Sequence, residues 1–143
     1  MILFISLLCA ALNFHKAHQS GEFQLKIDVQ GVSNAKGNLG VLLFNQKDGF
    51  PSDHTKAFRQ TTVAARKGNN TIVFDHVPPG TYAVAIMHDE NKNLRIDTNW
   101  LGIPNEGYGF SGNKIGLMGP PTFSDAAVKI EESSGVSVIK MRY

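Results

Sequence analysis

Thr71-Ile72-Val73-Phe74-Asp75-His76-Val77-Pro78-Pro79-Gly80-Thr81-Tyr82-Ala83-Val84-Ala85-Ile86-Met87 is the stretch that decides the fold. Its first seven residues are rich in β-branched and aromatic side chains and predict a strand. Pro78-Pro79-Gly80 breaks that strand, because proline has no N–H to donate to a ladder. Residues 81–87 then resume as a strand, with Tyr82, Val84 and Ile86 on one face. His76 falls in the first strand, which is expected to be partly buried.

The same period of two recurs outward from this break. Phe23, Leu25, Ile27 and Val29 alternate with Gln24, Lys26, Asp28 and Gln30, as in a strand with one wet face. Residues 39–44 form a short apolar run after Gly37-Asn38, and residues 60–66 are a weaker strand candidate. Residues 126–130 and 136–143 complete the series, separated by Ser133-Ser134-Gly135. In the last strand Val136 and Val138 are out of phase with Ile139, Met141 and Tyr143, which predicts a bulge near Val138. About seven short strands and no sustained helical period predict an all-β, antiparallel β-sandwich.

A chain of 143 residues is long enough for one domain with a real core. Hydrophobic residues at 42% and charged residues at 18% are ordinary for a soluble globular domain. A net charge of +2 with no basic cluster leaves no electrostatic footprint for nucleic acid. Residues 2–12 are almost all apolar, yet too few to span a bilayer as a helix. They resemble the apolar part of a secretory signal peptide, although the basic leading region is missing. The expectation is therefore a leader over 1–20, a single domain over 21–143, and export to the periplasm or cell surface. Cys9, the single cysteine, lies in that leader, so the exported domain would carry no disulfide.

From 88 to 123 the strand pattern stops, yet glycines recur and Trp100, Tyr108, Phe110 and Phe123 are present. So long a segment in a compact domain is usually functional or disordered, and its aromatics argue for order. Its start, His88-Asp89-Glu90-Asn91-Lys92-Asn93-Leu94-Arg95-Ile96-Asp97, carries oxygen-bearing side chains at positions 1, 3, 5 and 9. That spacing wraps a hard cation such as Ca2+, with Asp89, Asn91, Asn93 and Asp97 as side-chain ligands and the Arg95 carbonyl at position 7. Leu94 stands where an EF-hand has Gly, and Trp100 where it has Glu, so a further ligand must come from elsewhere. Glu106 is the leading candidate, with Glu90 and Asp48 behind it. The competing reading is that these Asp and Asn residues only build Asx-turns.

Three other readings apply to the same segment. Trp100, Tyr108 and Phe110 suit a stacking platform for a carbohydrate or peptide, or else a lid packed over the sheet. His88, Asp89 and Glu106, with Ser111, are the residues a small hydrolase would recruit, but no nucleophile or acid–base pair is marked by its surroundings. Catalysis is therefore not expected. Gly107-Tyr108-Gly109-Phe110-Ser111-Gly112 matches the dinucleotide fingerprint literally, but lacks the strand before it and the helix after it. Nucleotide binding is rejected on that ground.

Two motifs resemble known families. Val77-Pro78-Pro79-Gly80-Thr81-Tyr82 is similar to the turn-and-strand of prealbumin-like and collagen-adhesin B-type sandwich modules. The loop 88–97, followed by Gly102-Ile103-Pro104-Asn105-Glu106-Gly107-Tyr108-Gly109-Phe110-Ser111, resembles the bacterial domain-of-unknown-function 2141 family. That resemblance implies an exported bacterial protein with a prealbumin-like or Ig-like β-sandwich, and it implies no reaction. The 5-hydroxyisourate hydrolases share the prealbumin-like fold but end in Tyr-Arg-Gly-Ser, which Lys140-Met141-Arg142-Tyr143 does not match.

Overall fold

The computed structural model describes residues 23–116, 118–131 and 135–143. The expected leader over 1–20 lies outside the described residues. Among the described residues, eight strands form two sheets: β1 (Phe23–Val32), β2 (Asn38–Phe44), β3 (Arg59–Ala64), β4 (Gly68–Val77), β5 (Gly80–Asp89), β6 (Gly107–Phe110), β7 (Val128–Ile130) and β8 (Gly135–Lys140). One sheet runs β4-β1-β8; the other runs β3-β2-β5-β6, with β7 paired to the first residues of β5. The architecture is an all-β sandwich.

The Pro78-Pro79 break carries the chain from one sheet to the other. β4 ends in the first sheet and β5 begins in the second. The Tyr82 hydroxyl donates back to the Pro78 carbonyl at 2.8 Å, which ties the start of β5 to the corner. A Cβ at Gly80 would come within 3.2 Å of the Tyr82 ring, so a glycine there lets the ring fold back. Burial pushes the Tyr82 hydroxyl pKa up from its ordinary value.

The core lies between the sheets and follows the alternation read from the sequence. Leu25, Ile27 and Val29 of β1 and Ile72 and Phe74 of β4 meet Leu39, Val41 and Leu43 of β2 and Val84 and Ile86 of β5. Each such side chain contributes about 1.5–3 kcal/mol by leaving water. The outer face of the first sheet is mixed: Lys26 pairs with Asp28 at 3.2 Å and Thr71 donates to Asp28, beside the exposed Val73, Val136 and Val138. The outer face of the second sheet carries Leu42, Ala85, Met87, Tyr108 and Phe110 along matched registers.

Several expectations are corrected. β8 pairs with β1 in parallel, so the sandwich is antiparallel in most of its pairs but not in all. No bulge occurs near Val138: the pairing runs unbroken from Leu25 with Gly135 to Gln30 with Lys140. Ser137 and Ile139 face inward while Val136 and Val138 are exposed. Gly135 explains the phase, because a Cβ there would already press on Ile130 and Leu25. β4 is half-buried, and His76 is one of its exposed residues. The register slips between Phe23 and Leu25, giving β4 one extra residue, and His76 takes a φ of 53° at that irregularity. Residues 126–130 are not one strand: a short helix α1 (Phe123–Ala126), capped reciprocally by Thr122 and Asp125, precedes β7.

Gly37, just before β2, has a φ of +64°, and a Cβ there would lie 1.9 Å from the Asp89 carbonyl oxygen. Gly37→Ala therefore combines left-handed strain with a backbone clash at the end of β5. Denaturant unfolding is expected to show a loss of roughly 2–4 kcal/mol.

Candidate functional site

The segment 89–106 is built around two buried carboxylates. Asp89 is 2% exposed and Glu106 5%. A buried carboxylate is costly unless its oxygens are hydrogen-bonded, so the backbone must come to it. Asp89 accepts the N–H groups of Asn93 at 3.0 Å and Leu94 at 2.8 Å. Glu106 accepts the N–H of Glu90 at 2.9 Å with one oxygen and that of Asp97 at 3.0 Å with the other. Glu106 thus clasps both ends of the loop. Asx-turns fill the interior: Asn91 accepts from Asn93 N–H, and Asn93 accepts from Arg95 N–H. The side-chain amides of Asn91 and Asn93 donate to the two oxygens of Asp97, at 2.6 and 2.8 Å. Lys92 and Leu94 take φ values of 62° and 64°, so Leu94 adopts the left-handed turn that an EF-hand assigns to glycine.

The expected metal ligands Asp89, Asn91, Asn93 and Asp97 are therefore joined in one network, with Glu106 behind it. Their oxygens already accept N–H groups. Among the described residues, no group of three His, Cys, Asp or Glu side chains converges as metal ligands. The reserve candidates are engaged elsewhere: Glu90 accepts the Asn34 side-chain amide at 3.0 Å, and Asp48 pairs with Lys56 at 2.8 Å.

The residues of the hydrolase reading hold the fold together. His88 is fully buried. Its Nε2 lies 2.8 Å from the Lys36 carbonyl, which can only accept, so Nε2 carries a proton. Nδ1 lies 2.7 Å from the Tyr143 hydroxyl, which also accepts the Ser33 N–H. Ser111 accepts the Val84 N–H at 2.8 Å and donates to the Ala126 carbonyl. Among the described residues, every buried side-chain nitrogen and oxygen has a partner.

The glycines of the fingerprint-like motif serve close packing. A Cβ at Gly107 would lie 2.5 Å from the Tyr143 ring, and one at Gly109 would lie 2.8 Å from Ile139. The backbone of Tyr108 exchanges two hydrogen bonds with Arg142, so β6 is held between β5 and the tail after β8. With glycines turned inward, Tyr108 and Phe110 turn outward.

That outward face is the floor of an open groove of about 1130 Å³. Gly40, Leu42, Ala85, Met87, Tyr108 and Phe110 line the floor. The loop segment 94–96 with Gly102 and Pro104 forms one part of the wall; Ile115, Gly116, Gly119 and Pro120 form another. Small side chains at Gly40 and Ala85 leave the depression open. Phe110 joins the groove to an aromatic cluster in which Phe50 is edge-on to Phe44, Phe110 and Phe123 at 5.4, 6.2 and 6.0 Å. Of the three platform aromatics, Tyr108 and Phe110 line the groove and Trp100 does not. Trp100 is 91% exposed, in a small turn closed by the Thr98–Pro104 bridge, so it is not a lid over the sheet.

Sequence reasoning missed Gly40, Leu42, Ala85, Met87 and Arg95 as groove residues. The small outward residues Gly40 and Ala85, in strands otherwise rich in large side chains, were the one available signal.

A family model described as "Uncharacterized protein conserved in bacteria (DUF2141)" matches residues 27–137. No curated protein and no solved structure matches the chain.

Glu106→Gln replaces one acceptor of the clasp with an N–H donor facing another N–H. A stability loss of about 1–3 kcal/mol is expected. Trypsin should also cut faster after the exposed Lys92 and Arg95, read by limited proteolysis under native conditions. An unchanged cleavage rate would mean that Glu106 does not hold the loop.

Proposed function

The chain belongs to the DUF2141 family, and from that premise we propose that it is an exported, non-catalytic module that binds a small ligand with an apolar body in the groove over its second sheet. The observation that carries this reading is the groove itself: about 1130 Å³ over an apolar floor with two aromatic side chains. Ligand sites are concave, mainly apolar, and furnished with a few polar groups for orientation. Ser52, His54, Gln60 and Thr62 supply those groups here. A non-catalytic role is supported by His88, Asp89, Glu106 and Ser111, whose polar atoms hold backbone groups rather than facing a substrate. Export is supported by the apolar segment 2–12 in the sequence.

A second reading concerns the wall. Ca2+ bound by Asp89, Asn91, Asn93 and Asp97, with the Arg95 carbonyl, would stiffen the loop without taking part in any reaction. The favouring observation is the pair of left-handed residues Lys92 and Leu94 at positions 4 and 6 of the loop. Against it stands a network already closed by hydrogen bonds.

Two experiments test these readings. Gly40→Leu should fill the groove by pushing aside the Met87 side chain, whose Cε and Cγ would lie 3.0 and 3.2 Å from the new Cβ. The variant is expected to keep its stability within about 1 kcal/mol and to lose binding of phenylnaphthylamine, an uncharged apolar fluorophore. Retained fluorophore binding would place the ligand elsewhere. For the wall, Ca2+ added to metal-free protein should raise the melting temperature. Saturation at a hundredfold excess over Kd corresponds to about 2.7 kcal/mol; no shift in millimolar Ca2+ would refute the cation reading.

A further inference from the structure

The charges around the groove define the ligand more closely, on the premise that the groove is the binding site. Arg95 is the one Arg or Lys among the lining residues, and no Asp or Glu lines the groove. The nearby carboxylates are consumed by the loop: Asp89 and Glu106 by backbone amides, and Asp97 by the amides of Asn91 and Asn93. The Arg95 backbone is fixed by the bond from its N–H to Asn93 at 2.9 Å, whereas its guanidinium has no ion pair among the described residues. An unpaired guanidinium beside an apolar trough is a fork for one carboxylate. The floor crosses four strands, β3-β2-β5-β6. At about 4.8 Å between neighbours this is roughly 14 Å across, too wide for a short acid to fill.

We propose that the ligand is a free long-chain monocarboxylate, with its carboxylate on the Arg95 guanidinium and its alkyl chain along Leu42, Ala85, Met87 and Phe110. Binding is non-covalent and forms no new bond. The uncharged rim residues Thr62 and Gln60 leave the tail with no competing charge.

The test is calorimetric titration of the purified protein with dodecanoate below its micellar concentration, alongside dodecanol and butanoate. Dodecanoate is expected to bind at one per chain and butanoate not at all. Arg95→Gln, at an exposed position, should weaken dodecanoate by about tenfold and leave dodecanol within about twofold. Equal binding of acid and alcohol, both indifferent to Arg95→Gln, would overturn the head-group assignment while leaving the groove intact. If neither binds and phenylnaphthylamine also fails, the groove reading falls with it. Dodecanoate binding that survives Gly40→Leu but is lost in Trp100→Ser with Leu101→Ser would move the site to the exposed turn and overturn the proposal. Binding to anionic phospholipid vesicles without binding of free dodecanoate would do the same.

Discussion

Burying Asp89 and Glu106 is the constraint on which the rest of the site depends. A carboxylate removed from water needs compensation of several kcal/mol, and among the described residues no cationic side chain pairs with either. Backbone N–H groups do, two for each carboxylate. Charge-assisted bonds of this kind are directional, so they dictate the path of the chain rather than merely permitting it. Residues 90–97 are folded around two points of negative charge, much as a strand is folded around an apolar core. Glu106 matters most because it reaches both ends of the loop and stands immediately before β6, itself hydrogen-bonded to β5.

This arrangement links the loop to the groove. With its acidic residues turned inward, the loop presents Leu94, Arg95 and Ile96 to the depression. The sheet supplies the complement. Gly107 and Gly109 let β6 pack against Tyr143 and Ile139, and strict alternation then sends Tyr108 and Phe110 outward. A wall of fixed backbone and a floor of small and aromatic side chains are both consequences of packing rules. Neither requires a catalytic group.

Much of the fold was legible because burial and period coincide. The alternation at Phe23, Leu25, Ile27 and Val29, and at Tyr82, Val84 and Ile86, maps directly onto inward-facing positions. β6 escaped notice because its inward positions are glycines, so the apolar pattern that marks a strand is absent even though the alternation is present. The last strand misled because Val136 and Val138 are exposed while Gly135 and Ser137 take the crowded inner places. The Asp and Asn spacing of the loop signals an organised turn; Glu106, expected as a metal ligand, accepts the backbone N–H groups of Glu90 and Asp97. Of the groove, only Tyr108 and Phe110 were legible. It is assembled from residues of β2, β3, β5 and β6 and three loops, and its defining features are the small size of Gly40 and Ala85 and the absence of carboxylates from its lining.

The most direct measurement is amide hydrogen exchange on the wild-type protein in excess chelator. The N–H groups of Glu90, Asn93, Leu94 and Asp97 are the donors to the two buried carboxylates. The account predicts that all four are protected without any metal, while the N–H of the exposed Lys92 exchanges fast. Exchange of those four amides at unprotected rates, with protection appearing only when Ca2+ is added, would contradict it.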